Sequence, residues 1–215
     1  MEKYISPFTI TNRMLELVGS IMEKVGKLDN FSNLNKMPVL RRNNRIHSIH
    51  SSLTIEANSL SFNQVKDVIN GKLVIGDQKE IQEVKNAYKA YEMMRESNPY
   101  SIYDLLKIHG VMTFLTVEES GVFRKGEEGV FDENNNCIFI APKPEYVESL
   151  MNDLFNWMKE SKDEIHPLIL SSIFHYEFVF IHPFSDENEP LGHQKTYLQK
   201  YLQNKGFTDF GKSFF

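Results

Sequence analysis

The sequence reads Pro167-Leu-Ile-Leu-Ser-Ser-Ile-Phe-His-Tyr-Glu-Phe-Val-Phe-Ile181 along its most apolar segment. Apolar residues from Leu168 to Phe180 cover nearly every face of a helix, and Pro167 stands where a first-turn proline is tolerated. A helix that is apolar all round must be surrounded by other elements, so we expect it in the middle of a helical bundle. The segment is too short to span a bilayer.

Most other segments also carry apolar residues at helical spacing, which predicts further helices. Two helix starts carry a capping box, in which a short polar residue and the residue three positions later bond each other's backbone. These pairs are Ser61 with Gln64, and Asp77 with Glu80. The first of these helices is expected to stop at Gly71. Further helices are predicted over about 14–28, 81–94, 102–114 and 144–157.

One segment breaks the helical pattern. It reads Gly129-Val-Phe-Asp-Glu-Asn-Asn-Asn-Cys-Ile-Phe-Ile140, in which β-branched and aromatic residues flank a run of turn-forming residues from Asp132 to Asn136. This pattern indicates a strand, a turn and a second strand. The predicted fold is therefore all-α, a mainly helical bundle that carries one small β-hairpin.

The composition is that of a globular protein. The chain has 215 residues, which suits one domain or one domain with an added helical lobe, and its net charge of −5 argues against nonspecific binding to nucleic acid or anionic membranes. The one cysteine, Cys137, cannot form an internal disulfide, which fits a reducing compartment. No signal peptide is visible at the N-terminus, so we expect a cytoplasmic protein with neither nucleic acid nor membrane as a partner. The sequence leaves a homodimer open.

The apolar segment runs directly into a polar loop. This loop reads His182-Pro-Phe-Ser-Asp-Glu-Asn-Glu-Pro-Leu-Gly-His193, and another helix is expected to follow it. A polar loop between a buried helix and the start of the next is held rigidly and faces the positive end of a helix dipole. The sequence therefore predicts a functional site in this loop.

The loop resembles the Fic family motif His-Pro-Phe-x-Asp-Gly-Asn-Gly-Arg-x-x-Arg. The matching residues are His182, Pro183, Phe184, Asp186 and Asn188. The similarity extends upstream to the approach of the motif, to the hairpin, which stands where the family has its flap, and to the segment that leads into the flap. These stretches are 174–182, 129–140 and Gly121-Val-Phe-Arg124.

A second resemblance concerns the segment Ser51-Ser-Leu-Thr-Ile-Glu-Ala-Asn-Ser-Leu60. It is similar to the inhibitory helix that some Fic proteins carry before the core, with the motif Ser/Thr-x-x-x-Glu-Gly/Asn. Ser52 and Glu56 match, while Ala57 stands at the Gly/Asn position. The resemblance thus implies an N-terminal helical region over residues 1–64 and a Fic core over residues 65–215, with the flap at 129–140 and the motif loop at 182–193.

The resemblance implies a protein adenylyltransferase, which moves AMP from ATP to a Ser, Thr or Tyr hydroxyl of a target protein. His182 would be the general base, Asp186 would hold Mg²⁺ and Asn188 would contact phosphate. The target is unknown from sequence. Its backbone would pair with the flap as an added strand, through Ile138, Phe139 and Ile140.

Four motif positions depart from the family pattern. Glu187 and Glu189 replace the glycines, and Pro190 and His193 replace the arginines. A carboxylate about 5 Å from a phosphate costs roughly 3 kcal/mol at an effective dielectric near 20, and each lost arginine removes about 1.5–3 kcal/mol of charged hydrogen bonding. We therefore expect ATP binding and transfer to be impaired.

The same four changes support an alternative. Asp186-Glu-Asn-Glu-Pro190 is a competent helix start, because acidic residues and proline stabilise a first turn. The chain would then be a catalytically inactive Fic-fold binding module or a decaying pseudoenzyme, without ATP or Mg²⁺. In either case Glu56, which pairs with the second motif arginine in the family, would face His193 and form a weak inhibitory contact.

Two further classes are disfavoured. A DNA-binding regulator does not fit the net charge or the absence of a basic helix. A transition-metal site formed by His182, Asp186 and His193 is open in principle, but no pair of these residues has a recognisable metal spacing.

Overall fold

The computed structural model describes residues 4–29, 38–131 and 137–185 of the chain. This part contains seven α-helices and one two-stranded antiparallel sheet, which confirms the mainly helical fold with a small hairpin. The elements are α1 (Asn12–Asp29), α2 (Pro38–Ile55), α3 (Phe62–Ile69), α4 (Gln78–Met93), α5 (Ile102–Met112), β1 (Gly129–Phe131), β2 (Cys137–Ile140), α6 (Pro144–Ser161) and α7 (Pro167–Ile181). Within it, no helix is long and apolar enough to cross a membrane.

The first apolar cluster joins α6 to α7. Its buried members come from one face of each helix and are Val147, Met151, Leu154, Phe155, Trp157, Met158, Ile169, Leu170, Ile173 and Ile181. The segment before α1 packs on the same cluster, with the Phe8 ring 6.3 Å from the Trp157 ring. Its Ser6 hydroxyl, which is buried, donates to the Glu177 carboxylate of α7 at 2.9 Å.

The expectation that α7 is enclosed on every face holds for one side only. Among the described residues, Tyr176 and Phe180 remain 49% and 45% exposed. The buried side carries the four α7 residues of the first cluster, the last of which is Ile181 at the end of the helix. This side fixes the direction in which the chain leaves α7.

The second apolar cluster joins α2, α3 and α4. Its buried residues are Ile46, Ile49, Leu53, Leu60, Val65, Val68, Ile81, Val84 and Ala87. The predicted boundary between residues 64 and 65 falls inside α3, so the residues on its two sides share this cluster. Contacts between α4 and α5 link the second cluster to the rest of the helices.

The predicted helix starts of α3 and α4 are confirmed. The Ser61 side chain accepts from the Gln64 N–H, and the Gln64 side chain accepts from the Ser61 N–H. At α4 only half of the predicted capping box is observed: the Asp77 carboxylate accepts from the N–H groups of Lys79 and Glu80, whereas the Glu80 carboxylate accepts from the N–H and the hydroxyl of Ser59. α3 ends at Ile69, one residue before the predicted end at Asn70, and the predicted stop, Gly71, has a φ of 74°.

The hairpin pairs Gly129 with Ile140 and Val130 with Phe139. The register then shifts, and Phe131 pairs with Cys137, so that β2 carries one extra residue. A bulge of this kind twists a strand locally and turns its side chains. The predicted turn, residues 132–136, lies outside the described residues.

The end of α2 holds an alanine in an unfavourable conformation. Ala57 has a φ of 63°, in the left-handed region. Its N–H donates to Thr54 O at 3.2 Å, and the N–H of Asn58 donates to Leu53 O at 3.0 Å. These two bonds form a common helix-ending arrangement, in which the residue of positive φ is usually glycine or asparagine. The same preference accounts for Gly or Asn at this position of the inhibitory-helix sequence motif.

We predict that Ala57→Gly raises the free energy of unfolding by about 1 kcal/mol, because glycine adopts this conformation without the Cβ clash. Urea denaturation of both proteins measures the change. Ala90→Gly is the matched control, since Ala90 lies inside right-handed α4, where the same substitution lowers stability. A less stable Ala57→Gly protein would contradict the assigned backbone strain.

Candidate functional site

The site begins where α7 ends. His182 caps the helix with φ 48° and ψ 64°, and its N–H donates to Phe178 O at 3.0 Å. A left-handed conformation costs a residue with a Cβ roughly 1–2 kcal/mol, so the surrounding contacts must hold it. The turn directs the chain away from the helix axis at the histidine that the sequence predicts as the general base.

Arg124 makes the contacts that hold this turn. Its side chain is buried, and its Nε donates to the His182 carbonyl at 2.6 Å. Its backbone N–H donates to the carbonyl of Pro183 at 3.0 Å. Burial lowers the pKa of Arg124, but a guanidinium stays charged in proteins, and the positive charge lies favourably at the C-terminal end of a helix.

The next motif residue, Phe184, lies on a histidine of α5. Its ring stacks on His109 with centroids 3.7 Å apart and planes at 8°. His109 Nδ1 accepts the Gly121 N–H at 3.0 Å, and burial lowers the pKa of His109 to about 4. The imidazole is therefore neutral near pH 7, and it fixes Phe184 on one side and the chain at Gly121 on the other.

Two glycines allow the segment around Gly121 to lie close to α5. A Cβ at Gly110 of α5 would lie 3.2 Å from the Cα of Gly121, and Gly121 has a φ of 74°. Both the close approach and the positive φ favour glycine. The backbone of residues 119–126, which we call the anchor loop, can thus lie directly against α5.

Ser185 is held by the same loop. Its hydroxyl donates to Glu119 Oε2 at 2.7 Å, and the Lys125 N–H donates to that oxygen at 3.3 Å. The bond from Ser185 lowers the pKa of the Glu119 carboxyl, because it favours the ionised form. An open cleft of about 460 Å³ lies here, lined by Glu118, Glu119, Val122, Lys125, Gly126 and Ser185.

The anchor loop therefore positions all of the motif that the structure describes. It binds the carbonyls of His182 and Pro183, and the hydroxyl of Ser185. It also supports Phe184 through His109. The result is a fixed histidine at the start of the polar loop.

The rest of the predicted motif lies outside the described residues. This applies to the Mg²⁺ ligand, the phosphate contact and the four departing positions, which are Asp186, Asn188, Glu187, Glu189, Pro190 and His193. Across the described ranges, no group of three or more His, Cys, Asp or Glu residues could hold a metal ion.

The flap presents two kinds of side chain. Ile138 and Ile140 are 41% and 72% exposed. Phe139, predicted with them to bind the target, is half-buried, and its ring lies 5.3 Å from Phe180 of α7. Two of the three predicted residues thus face solvent, and the third attaches the flap to the helix that leads to His182.

The two residues predicted to be inhibitory, Ser52 and Glu56, lie at the end of α2. The Ser52 hydroxyl is 3.4 Å from the Tyr91 hydroxyl of α4. Glu56 is exposed and immediately follows the last helical residue, Ile55. Its expected partner, His193, lies outside the described residues, so the inhibitory contact stays a prediction.

The anchoring roles of Arg124, Glu119 and His109 do not follow from the motif resemblance, in which Arg124 stands only in the segment that leads into the flap. A partial signal was present for Arg124, since it follows directly on Phe123, which packs against the first cluster, and a charge beside a packed residue must find partners. No comparable signal marks Glu119 or His109.

Comparison with known proteins finds similarity to one family. The family model described as "Fic/DOC family" matches residues 99–194. "Protein adenylyltransferase Fic" of Nematostella vectensis is 27% identical over 151 residues, 66% of this chain and 34% of that protein. "Protein adenylyltransferase fic-1" of Caenorhabditis elegans is 27% identical over 189 residues, 83% of this chain and 35% of that protein. The chain thus spans about a third of the length of these relatives.

Solved structures agree. The crystal structure of a Fic family protein from Desulfovibrio desulfuricans G20 is 40% identical, with a TM-score of 0.79 over 94% of this chain and 62% of that one. A Fic domain containing signaling protein from Bacteroides thetaiotaomicron VPI-5482 shares the fold, with 19% identity and a TM-score of 0.62 over 73% of this chain and 65% of that one.

We predict that acid destabilises the protein partly through His109. The unfolded chain binds a proton at His109 below about pH 6.5, whereas the folded protein does so only near pH 4, so stability is full above this window and falls as the pH decreases through it. Urea midpoints measured from pH 7 to pH 4.5 test this.

His109→Asn keeps an acceptor for the Gly121 N–H but cannot titrate, so the loss on acidification is expected to shrink. His175→Asn, at an exposed position of α7, is the control for removing an imidazole. An unchanged acid dependence in His109→Asn would refute the assignment.

Proposed function

Residues 99–194 of this chain belong to the Fic/DOC family, and we propose that the protein is a Fic-type protein adenylyltransferase with an impaired phosphate site. The reaction would transfer AMP from ATP to a Ser, Thr or Tyr hydroxyl of a target protein. The names of the relatives support this reaction class. A cytoplasmic location is part of the proposal, since the single cysteine is unpaired and exposed.

The observation that carries the proposal is the held turn at His182. The contacts of Arg124 and of the anchor loop maintain a left-handed backbone conformation at His182, which is costly for a residue with a Cβ. Strain of this kind persists where the surrounding structure over-determines it, and such places are often functional. An imidazole attached to this held backbone can accept the proton of an incoming hydroxyl.

The flap supports a protein as the acceptor. The outer side chains Ile138 and Ile140 are exposed beside a two-stranded sheet. A target segment can add to such an edge through backbone hydrogen bonds, with little demand on its sequence. Its hydroxyl would then be delivered toward the end of α7, where Phe139 already contacts Phe180.

The side-chain chemistry of the motif loop fits Mg²⁺ better than it fits ATP. Asp186 offers the hard oxygen donor that Mg²⁺ prefers. Glu187 and Glu189 place like charge where phosphates would lie, and Pro190 and His193 supply neither of the family's guanidinium groups. Bound ATP and Mg²⁺ would supply the AMP group and offset its charge, but these side chains do not fit a triphosphate.

Regulation by the N-terminal segment is weak in this proposal. A neutral His193 cannot form the ion pair that an arginine would form with Glu56. The Ser52–Tyr91 contact favours a structural role for the end of α2, because it joins α2 to α4 within the second cluster.

A second function stays in competition. The four substitutions that would weaken the phosphate site are also residue types that suit a helix start, and this sequence pattern favours a non-catalytic binding module. A measurement of nucleotide binding distinguishes the two functions, because a transferase must bind ATP and a non-catalytic module need not. The flap and the anchor loop would serve either one.

We predict that calorimetric titration of ATP with Mg²⁺ gives weak or no binding to the wild-type chain. A variant with Glu187→Gly, Glu189→Gly, Pro190→Arg and His193→Arg, here called the revertant, is expected to bind at least about a hundredfold more tightly. The reason is that two like charges are removed and two phosphate-binding cations restored, a difference of several kcal/mol.

The control is His182→Ala in the revertant, which should bind ATP as well as the revertant does but transfer no AMP to protein. Labelled ATP measures the transfer. Equal, micromolar binding by the wild type and the revertant would contradict the impaired site. Transfer that survives His182→Ala would contradict the role of the base.

A further inference from the structure

The guanidinium of Arg124 reaches beyond the His182 turn. Its Nη1 donates to Gly126 O at 2.7 Å, and its Nη2 donates to Pro142 O at 2.5 Å and to Ile181 O at 3.4 Å. Gly126 lies shortly before β1, and Pro142 lies two residues after β2. Both roots of the hairpin and the end of α7 therefore meet on one buried side chain.

We propose that Arg124 is a positioning residue that couples the flap to the His182 turn, so that the flap and the histidine hold their geometry together or lose it together. The mechanical coupling stands on these contacts alone. Its consequence for transfer to a target held by the flap rests on the proposed function.

Arginine is suited to this task by its shape. The guanidinium is a planar fork with five N–H donors at fixed angles, and here they are directed at four carbonyls from the anchor loop, the exit of the flap and α7. Lysine would keep the charge but has one compact ammonium group, which cannot bridge carbonyls on opposite sides. The arginine is 2% exposed, so water cannot replace the lost bonds easily.

Two other contacts lie along the same connection. The Ala141 N–H donates to Glu128 O at 2.9 Å and closes the root of the hairpin. Further along the flap, the Phe139 ring rests on Phe180, two residues before the turn. The hairpin is thus attached to α7 by a ring contact on its strand and by hydrogen bonds through Arg124 at its root.

The coupling is tested by amide hydrogen exchange on the full chain with Arg124→Lys. Two amides report on the two parts, Ala141 at the hairpin root and His182 at the turn, and both are hydrogen-bonded in the wild type. We expect both to exchange about tenfold faster or more, since a hydrogen bond to a charged group carries that much free energy. The Ile81 amide of α4, bonded to Asp77 O, serves as the reference for global unfolding.

Arg45→Lys is the matched control, because Arg45 also donates to a partner, Glu92, but in the second cluster region, away from the motif. It should leave the Ala141 and His182 amides unchanged. Acceleration of only one of these two amides in Arg124→Lys, or of neither, would overturn the proposal.

If Arg124→Lys does not fold, Arg124→Ala is used with free guanidinium ion well below denaturing concentrations. Recovery of folding and of protection at both amides with guanidinium, but not with ammonium, is the expected result. Equal recovery with ammonium would overturn the role of the planar fork.

The link to transfer is measured in the revertant. Arg124→Lys in that background should lower kcat for transfer to protein by a larger factor than it raises the Kd for ATP, because the flap is proposed to hold the target and not the nucleotide. If the revertant with Arg124 intact transfers no AMP, the proposed function fails, and the hydrogen-exchange result still decides the coupling. If Arg124→Lys transfers at the revertant's rate, the coupling has no catalytic role.

Discussion

Arg124 is a buried charged residue, and the site depends on the hydrogen bonds that offset the free energy of removing its guanidinium from water. The buried guanidinium loses its hydrogen bonds to water. It replaces them by donating to backbone carbonyls of the anchor loop, the hairpin root and α7. One of those carbonyls belongs to His182, whose left-handed backbone would otherwise be unfavourable. The same interaction therefore satisfies a buried charge, terminates α7 and sets the direction of the catalytic candidate.

The motif divides into two halves with different physical requirements. The first half, His182 to Ser185, depends on packing and backbone hydrogen bonds, and its supporting residues are all present in this chain. The second half depends on charge, and there the sequence has exchanged two glycines and two arginines for two glutamates, a proline and a histidine. The position of the first half does not depend on the residues of the second, because the first half takes its support from α5 and the anchor loop.

The parts of the fold that follow from local rules were predictable. Capping residues at 61 and 77, Pro144 and Pro167 in first turns, and the change of period at 129–140 mark elements that the structure contains. The partners of Arg124 were not predictable, because they depend on which distant segments meet. The exposure of Tyr176 and Phe180 on one side of α7 was not predictable for the same reason. Helical periodicity identifies the apolar faces of a helix but does not say which other segments cover them.

The central claim is that the anchor loop fixes the His182 turn without help from the phosphate-binding residues. The most direct test is the hydrogen-exchange protection of the His182 amide, which donates to Phe178 O, in the wild type and in the revertant without ATP. We predict equal protection in the two proteins, because the contacts that hold the turn are common to both. A His182 amide that is protected only in the revertant would contradict this account, since the turn would then depend on the glycines and arginines that this chain lacks.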